Sequence, residues 1–395
     1  MTVAGLEPAA VVAPVGVDEF AACVAELYAR DRPFAFAGGG TELELGNAPR
    51  ALDTLVQTTA CANVIDYAPQ DQTITLEAGM TLAAAGSVLA RERQFLAIDA
   101  PDPGRMTIGG AIATNVYGGR RLRYGSIKDS IVGVEIVRPD GTRARGGGRV
   151  VKNVAGFDMP KLMVGSLGTL GAIVNATFRV YPIAEAQAAV VFHGVSSDAV
   201  MRIGQELISA ALVPAAVVAY GLASGDGYDC RVSFEGFARG VNEQVAEALQ
   251  IAGGLGVDAD VAAPVEDWTR AGAVLDERER TARCGSAWHF TVRAQPTALA
   301  RFVAQQPFAG LQHIFYPLLG TAFVGADTFD AVTLAGWRSR IGAGSIIVNV
   351  MPAAARTSVE TWGPPPAASL AIMRRLKANF DPKGLCNAGR FVGGL

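Results

Sequence analysis

The sequence predicts an α+β protein in which a glycine-rich region precedes a second, separate α+β layer. In the first 175 residues, three short strand-like runs lie beside glycine-rich turns. After Pro182, two rounds of strand–helix–strand–strand–helix–strand follow one another. Apolar residues alternate in several of these runs, as is typical of half-buried antiparallel strands. Together these observations predict helices on one face of an antiparallel sheet in the second half of the chain.

The first region contains the following predicted elements. Helical spacing of apolar residues predicts helices over 18–31 and 81–93. Pro139-Asp140-Gly141 is a turn signal that predicts a hairpin over 131–145. Strands are predicted at 34–37, 51–57, 64–67, 72–77 and 172–181.

The second region repeats one order of elements. The first round has strands at 188–195, 215–220 and 229–235, and helices at 198–212 and 240–251. The second round has strands at 286–293, within 311–325 and at 345–350, and helices at 297–305 and 328–341. We expect the two rounds to be a degenerate repeat. A proline-rich linker over 354–366 and a helix over 367–379 complete the prediction.

Composition excludes several functional classes. The 34 basic and 37 acidic residues give a net charge of −3, which offers no basic surface to nucleic acid or anionic lipid. The three histidines, His193, His289 and His313, lack the spacing of a metal site or of a Ser–His hydrolase, so we expect no metal. Five scattered cysteines predict reduced thiols rather than disulfides or an iron–sulfur site.

The sequence also predicts a soluble, cytoplasmic protein. The N-terminus lacks the basic start of a signal peptide. The uncharged stretch from Leu207 to Gly225 has the length of a membrane span, but it contains Pro214 and several polar residues. We therefore expect a buried helix, a turn and a strand in this stretch.

The first glycine-rich segment follows a predicted strand and runs from Ala37 to Glu42. Glycines at such a place let backbone N–H groups converge on an anion, because no Cβ blocks the approach. The spacing matches neither the Rossmann nor the Walker fingerprint. Alone, the segment favours a tight turn without a ligand over an anion-binding loop.

Two further segments favour a bound cofactor. Residues 99–119 combine rigid prolines with Gly109, Gly110 and small alanines, a pattern that predicts backbone packed against a large flat group. Gly165, Gly168 and Gly171 then open into a strand. Three such segments predict an extended dinucleotide cofactor such as FAD.

These segments resemble the FAD-binding domain of the vanillyl-alcohol oxidase/PCMH-type flavoprotein superfamily, and in particular its 2-hydroxyacid dehydrogenase branch. Residues 147–171, 113–125 and 375–390 resemble the smaller FAD-binding (E) subunits of bacterial glycolate oxidase/dehydrogenase. The resemblance implies a PCMH-type FAD-binding domain of two subdomains over 1–183 and an α+β cap domain over 184–366. It further implies that residues 367–395 return to the FAD domain.

The resemblance also implies the cofactor-binding residues, which come from the three segments and the C-terminal motif. They are Ala37, Gly38, Gly39, Gly40, Thr41, Glu42, Pro101, Thr107, Gly109, Gly110, Ala113, Thr114, Asn115, Gly118, Tyr124, Gly125, Gly168, Gly171, Ile173, Val174 and Asn387. Arg390 is expected to return to the FAD domain together with Asn387. Family members with a covalent flavin supply His or Cys from the loops, and 36–42 and 100–125 contain neither. We therefore expect non-covalent FAD.

The implied function is that of an FAD-binding subunit of a glycolate (2-hydroxyacid) oxidase/dehydrogenase complex. The implied partners are a larger FAD-binding catalytic subunit and an iron–sulfur subunit, through which the chain could lie at the inner membrane. The chain departs from the catalytic subunits because it lacks their histidine-rich segment, and Phe157 replaces the usual tyrosine of the stretch 152–158.

Three alternatives for the chemistry follow. The chain oxidises substrate itself, it relays electrons or acts as a scaffold without a substrate site, or it is a stand-alone flavin-dependent alcohol oxidase. Oxidation of a 2-hydroxyacid needs a base and a cation for the carboxylate. His289 and Arg293 are candidates, since their spacing of four places both on one side of a predicted strand. A structural role on a half-buried strand is the alternative for both.

Overall fold

The computed structural model describes residues 1–148, 157–222, 227–262 and 277–395. Within these ranges the strands are β1 (Ala10–Val12), β2 (Phe34–Ala37), β3 (Thr54–Gln57), β4 (Val64–Ala68), β5 (Thr73–Glu77), β6 (Gln94–Phe95), β7 (Ile131–Val137), β8 (Arg143–Gly147), β9 (Ala172–Arg179), β10 (Tyr181–Pro182), β11 (Ala186–Val195), β12 (Ala216–Gly221), β13 (Tyr228–Gly236), β14 (Ala259–Ala262), β15 (Trp288–Arg293), β16 (Gln312–Tyr316), β17 (Thr321–Ala326) and β18 (Ser345–Val350).

The α-helices are α1 (Gly16–Ala29), α2 (Leu82–Leu89), α3 (Ile108–Thr114), α4 (Arg121–Tyr124), α5 (Ile127–Ser130), α6 (Met159–Met163), α7 (Ser197–Ser209), α8 (Ala238–Leu255), α9 (Glu277–Cys284), α10 (Pro296–Val303), α11 (Ala331–Arg340) and α12 (Ala367–Phe380). Short 3₁₀ turns lie at Pro69–Asp71, Ala90–Glu92, Pro317–Leu319, Ala353–Thr357 and Val392–Gly394.

The first half of the chain is built on two main sheets. Strands β1, β3 and β2 form a parallel sheet in that order. Strands β4, β5, β9, β7 and β8 form an antiparallel sheet, and β6 pairs with β10. Buried aliphatic side chains of β5, β7, β9, α2 and α3 share one core. The first and third glycine-rich segments adjoin β2 and β9, and the second lies in α3, which packs on this core.

The second half forms one antiparallel sheet of eight described strands, in the order β14-β11-β13-β12-β16-β17-β15-β18. The first four strands mirror the last four, because each round contributes its strands in the same relative order. Helices α7, α8, α10 and α11 pack on one face, where Trp337 and Phe302 are buried. The predicted antiparallel layer is confirmed, with these four helices on one face, whereas α9 packs on the other face. The two rounds repeat in topology.

The C-terminal segment returns to the first half, as predicted. The Phe34 amide donates to the Leu385 carbonyl (3.0 Å), and the Asn387 amide donates to the Phe34 carbonyl (2.8 Å). Cys386 thus lies beside Phe34 in a parallel bridge at the edge of β2. The domain limits at residues 183 and 366 remain a prediction.

The second glycine-rich segment was predicted to be a turn, but in the structure it begins a helix. Gly109 and Gly110 form the first turn of α3, whose N-cap is Thr107. The absence of side chains lets this helix approach β5, because a Cβ on Gly109 would lie 2.9 Å from the Ala78 Cβ. Propensity predicts against helix at paired glycines, and close packing overrides it here.

Other expectations from the sequence can be compared with the structure directly. All five cysteines are free thiols. No helix in the described ranges has the length and apolar character needed to cross a membrane. Leu207 lies in α7 and Tyr220 in β12, so the uncharged stretch is divided between a helix and a strand.

Candidate functional site

An open cleft of about 690 Å³ lies where the three glycine-rich segments and the C-terminal tail meet. Fourteen of its 21 described lining residues are glycine, alanine or threonine. The lining comprises Phe36, Ala37, Gly38, Gly39, Gly40, Thr41, Glu42, Leu43, Thr58, Thr107, Gly109, Gly110, Ala113, Thr114, Leu167, Gly168, Gly171, Ala172, Ile173, Asn387 and Arg390. We call this the glycine cleft.

The first segment is pressed against the loop that precedes α3. A Cβ on Gly38 would lie 2.0 Å from the Thr107 Oγ1, and one on Gly39 would lie 1.7 Å from the Arg105 carbonyl oxygen. The Arg105 guanidinium also donates to the Gly39 carbonyl (3.2 Å). Glycine is therefore required at both positions by close approach of backbone.

Thr107 organises the second wall of the glycine cleft. Its Oγ1 accepts a hydrogen bond from the Gly110 amide (3.2 Å) and caps α3. The Gly109 amide donates to the Ala78 carbonyl (2.8 Å), which ties the helix to the end of β5. The wall facing the cleft is consequently formed by glycine and alanine, and it offers a surface that a planar group can approach closely.

The third wall needs backbone conformations that favour glycine. Gly168 has φ +68° and Gly171 has φ +141°. A Cβ on Gly171 would also lie 2.6 Å from the Val137 carbonyl oxygen. Both positions open directly into β9, so a substitution would disturb the strand that supports Ile173 in the cleft.

The C-terminal tail fixes this third wall through a buried polar network. The Lys377 ammonium donates to the Thr169 carbonyl (2.8 Å), the Asp381 carboxylate (2.7 Å) and the Cys386 carbonyl (2.7 Å). The Cys386 thiol in turn lies 3.1 Å from the Gly168 carbonyl oxygen and donates to it. Burial raises the pKa of this thiol well above its usual range, so it is a neutral hydrogen-bond donor and not a reactive thiolate.

Two residues that line the glycine cleft have buried polar atoms without a partner among the described residues. The Asn387 side chain donates through Nδ2 to the Leu167 carbonyl (3.0 Å), whereas its Oδ1 is buried without a partner among the described residues. The Nε of Arg390 has the same status, and burial, with repulsion from Arg356, lowers the Arg390 pKa to about 10. Since buried polar atoms are normally paired, a ligand with donors and acceptors fits this cleft.

Most residues predicted from the sequence lie together in the glycine cleft. They are Ala37, Gly38, Gly39, Gly40, Thr41, Glu42, Thr107, Gly109, Gly110, Ala113, Thr114, Gly168, Gly171, Ile173 and Asn387. The convergence requires the parallel sheet, α3 and the tail to pack as described. The sequence predicted the segments, and tertiary packing brings them together.

Six predicted residues do not line the glycine cleft. Asn115 ends α3 in the left-handed region, and Val174 is buried in the core between α1 and the sheets. Tyr124 donates to the Glu235 carboxylate in the second half of the chain, and burial, together with this carboxylate, raises the Tyr124 pKa. Gly118, Gly125 and Pro101 also lie outside this lining, and Pro101 lines a second cavity.

Several lining residues were not predicted as cofactor-binding residues. Phe36, Leu43, Leu167 and Ala172 adjoin the glycine-rich segments, so their neighbours in the sequence were a usable signal. Thr58 has no such signal. Its hydroxyl reaches the Ala37 carbonyl (3.3 Å) only because β3 pairs with β2.

The two catalytic candidates share one side of β15, but neither lines the glycine cleft. The buried His289 ring accepts a hydrogen bond at Nε2 from the Ser286 amide (3.1 Å). Burial lowers its pKa, so the ring is neutral near pH 7. Arg293 donates to the Tyr117 hydroxyl (3.0 Å). Both side chains thus hold structure around α9 and Tyr117.

A second cavity of about 920 Å³ adjoins the glycine cleft and shares Thr41 and Glu42 with it. Its remaining lining comes from the loop before α3 and from α9, and comprises Pro101, Asp102, Arg105, Met106, Arg280, Cys284 and Gly285. We call this the arginine cavity. Burial raises the pKa of Glu42, and the nearby Arg283 partly offsets that effect.

The residues that the structure describes contain no cluster of three or more histidine, cysteine or acidic side chains able to hold a metal ion. The stretch 152–156, on which part of the sequence resemblance depends, lies outside the described residues. Phe157 is described, and its side chain is 98% exposed.

Comparison with known proteins finds a family model that matches residues 8–147 and several relatives that match part of the chain. Residues 8–147 match the family model of the FAD binding domain. The chain is 31% identical over 212 residues to glycolate oxidase subunit GlcD of Bacillus subtilis, which covers 53% of this chain and 44% of that protein. It is 37% identical over 120 residues to glycolate oxidase subunit GlcE of Escherichia coli, covering 30% and 34% of the two chains.

Other relatives include the D-2-hydroxyglutarate dehydrogenase of Xanthomonas citri, at 35% identity over 44% of this chain and 36% of the relative. The matched stretches thus span less than half the length of these curated relatives. Two structures of alkyldihydroxyacetonephosphate synthase share the fold, with TM-scores of 0.67 and 0.66 and 17% identity. They cover 96% and 95% of this chain, and this chain covers 77% and 76% of them.

Proposed function

We propose that this chain, which carries an FAD-binding domain and takes FAD as its cofactor, is the FAD-binding subunit of a glycolate (2-hydroxyacid) oxidase/dehydrogenase complex. One observation supports this proposal most strongly. The glycine cleft gathers three separate glycine-rich segments and the C-terminal tail around orphaned polar atoms. Two relatives named as glycolate oxidase subunits support the substrate class.

In this proposal, the backbone amides of residues 38–41 hold the pyrophosphate of FAD, because the glycines leave them accessible. The wall formed by Gly109, Gly110 and Ala113 packs against the cofactor, and Asn387 Oδ1 accepts a hydrogen bond from it. FAD, when bound, supplies the acceptor for a hydride or for single electrons. No histidine or cysteine lines the cleft within the described residues, which supports non-covalent attachment.

A second candidate is an electron-relay or scaffold subunit without its own substrate site. The face of the eight-stranded sheet opposite α7 and α8 is closed by Tyr117, Tyr316 and Phe323 together with Ala282 of α9. None of the described residues that line the glycine cleft is a histidine, so the lining offers no imidazole base. A larger FAD-binding subunit and an iron–sulfur subunit would then complete the electron path. Through these partners the chain would lie at the inner membrane.

The cofactor proposal is tested on the purified chain. We expect a flavin absorption spectrum near equimolar to protein, and release of the flavin by acid precipitation. A protein without retained flavin that also fails to bind added FAD would contradict the proposal. Flavin that stays with the precipitate would contradict non-covalent attachment only.

The two candidate roles are separated by anaerobic mixing of the flavin-loaded chain with glycolate or D-lactate. Bleaching of the flavin by the chain alone supports its own substrate site. Absence of bleaching, with turnover restored by partner subunits, supports the relay. If neither glycolate nor D-lactate bleaches the flavin in the assembled complex, the proposed substrate class is wrong.

A further inference from the structure

The arginine cavity is formed by two parts of the chain that are distant in sequence. Arg105 belongs to the loop before α3, in the FAD-binding domain, and its guanidinium is oriented by the Gly39 carbonyl (3.2 Å). Arg280 belongs to α9 and lines the same cavity. Because the cavity shares Thr41 and Glu42 with the glycine cleft, a small molecule bound here lies beside the cofactor site.

Two faces of helix α9 make different contacts. Glu279 and Arg283, one turn apart, hold the helix against the sheet, because Glu279 accepts from the Tyr316 hydroxyl (2.7 Å) and the Arg283 guanidinium lies 4.3 Å from the Phe323 ring centroid. Arg280 and Cys284 are also four residues apart and share another face of the helix. That face borders the cavity, and the Arg280 side chain is exposed there.

The charges around the arginine cavity favour an anion. Its cationic groups are Arg105 and Arg280, and Arg283 acts on Glu42 from the same helix. Its acidic groups are Asp102 and Glu42. The Asp102 carboxylate accepts from the Arg105 amide (3.2 Å) and lies 4.0 Å from the Arg105 guanidinium, so it offsets the charge of Arg105. Burial raises the pKa of Glu42 and thereby disfavours its ionised form. Arg280 therefore supplies the positive charge of this lining that favours an anion.

We infer that the arginine cavity binds the carboxylate of a small 2-hydroxyacid through Arg280, with Arg105 as the second cation of the same lining. The inference rests on the proposed function, and it gives the chain its own substrate-binding residue. Guanidinium groups pair with carboxylates through two parallel N–H···O bonds. The pyrophosphate of FAD has a separate place in the glycine cleft, which the backbone amides of 38–41 line without Arg280.

Cys284 provides a reporter inside the arginine cavity. Its thiol is exposed, whereas Cys61, Cys230 and Cys386 are buried. The FAD-loaded protein is alkylated with iodoacetamide, with and without oxalate, and the modified peptides are quantified by mass spectrometry. Oxalate is a useful probe because it carries no hydrogen on carbon that could be transferred. We expect oxalate, but not chloride at equal ionic strength, to slow alkylation of Cys284 severalfold, while partly buried Cys23 is unaffected.

R280M is compared with the control variant R239M. Arg239 lies on α8, and its side chain is 91% exposed. We expect R280M to raise the oxalate concentration needed for half-protection about tenfold, as for loss of one charge-assisted pair, and R239M to leave it unchanged. Rates are compared with and without oxalate within each variant, because removal of Arg280 itself alters the thiol. E42Q mimics neutral Glu42, and we expect it to strengthen protection.

Equal half-protection in R280M and wild type would overturn the inference, as would absence of oxalate protection in wild type. Loss of FAD from R280M without a change in oxalate half-protection would assign Arg280 to the cofactor and overturn it as well. The flavin content and the bleaching measurements are made on the same samples. Failure of the inference is therefore distinguishable from failure of the proposed function.

Discussion

At the scale of single residues, Gly39 shows how close packing determines the glycine cleft. The predicted strand that ends at Ala37 and the glycines that follow it predicted a backbone loop from the sequence alone. The reason that position 39 requires glycine is tertiary, since its missing Cβ makes room for the Arg105 carbonyl 66 residues away. Local sequence therefore predicts the loop, but not the neighbour that constrains it.

We expect G39V to lose bound FAD while the chain remains folded. A side chain at this position must displace the Arg105 carbonyl, which moves the loop before α3 away from the first segment. The flavin-to-protein absorbance ratio after gel filtration measures the loss, and circular dichroism checks the fold. Gly254 in α8 is the matched control, because a Cβ there meets nothing within 4 Å. Retention of FAD by G39V equal to that of G254A would contradict the assignment of this loop.

At the scale of elements, apolar periodicity in the sequence predicted secondary structure reliably. Polar side chains that pair with each other in the folded chain gave no such signal. Strand β9 and helix α12 lie close to their predicted limits. Strand β9 has an apolar face that packs on a core, whereas the buried residue of α12 is Lys377. Helix α9 was not predicted. Its sequence, ERERTARC, has almost no apolar face. It packs instead through the Glu279–Tyr316 hydrogen bond and through Arg283 on Phe323, and such pairs are visible only in three dimensions.

Helix α12 allows a test of how the tail supports the cleft. We expect K377M to lower the free energy of unfolding by about 3–5 kcal/mol, because it leaves the buried Asp381 carboxylate without its cation. The third wall of the glycine cleft should loosen as well, since Lys377 also holds the carbonyls of Thr169 and Cys386. Urea denaturation measures stability, and FAD titration measures affinity.

The control for this prediction is R375M, on an exposed position of the same helix. It should change the free energy of unfolding by only a few tenths of a kcal/mol, within the usual range for surface substitutions. If K377M and R375M had equal stability, the buried network would contribute nothing, and the proposed support of Gly168 by the tail would be wrong.

At the scale of the whole molecule, polar and aromatic contacts join the two halves. The Arg123 guanidinium donates to the Glu235 carbonyl (2.5 Å), and Tyr117 packs on Phe323 at a ring-centroid distance of 5.9 Å. Arg120, 2% exposed, pairs with Asp99 (2.8 Å) beneath this contact. The order of elements predicted both layers, but not their contact, because no sequence pattern specifies which face of a sheet meets another layer.

Two buried histidines make the stability of the chain depend on pH. His289 and His313 both lie in the eight-stranded sheet, and burial lowers the pKa of each below the ordinary value of 6.5. Their folded-state pKa values are therefore below those of the unfolded chain. As pH falls through 6.5, the unfolded chain binds protons that the folded chain does not, and the free energy of unfolding falls.

We therefore expect the free energy of unfolding to decrease between pH 7.5 and pH 5.5, and to decrease less in the double variant H289Q/H313Q. Urea denaturation at several pH values gives the slope. The double variant is less stable at pH 7.5, because the His289 contact to the Ser286 amide and the His313 contact to the Tyr228 hydroxyl are altered, so slopes and not absolute values are compared. An equal slope in both proteins would mean that neither histidine is held neutral by burial in the sheet. A smaller slope in the variant would identify these two rings as groups through which acid weakens the half of the molecule that faces the cofactor-binding domain.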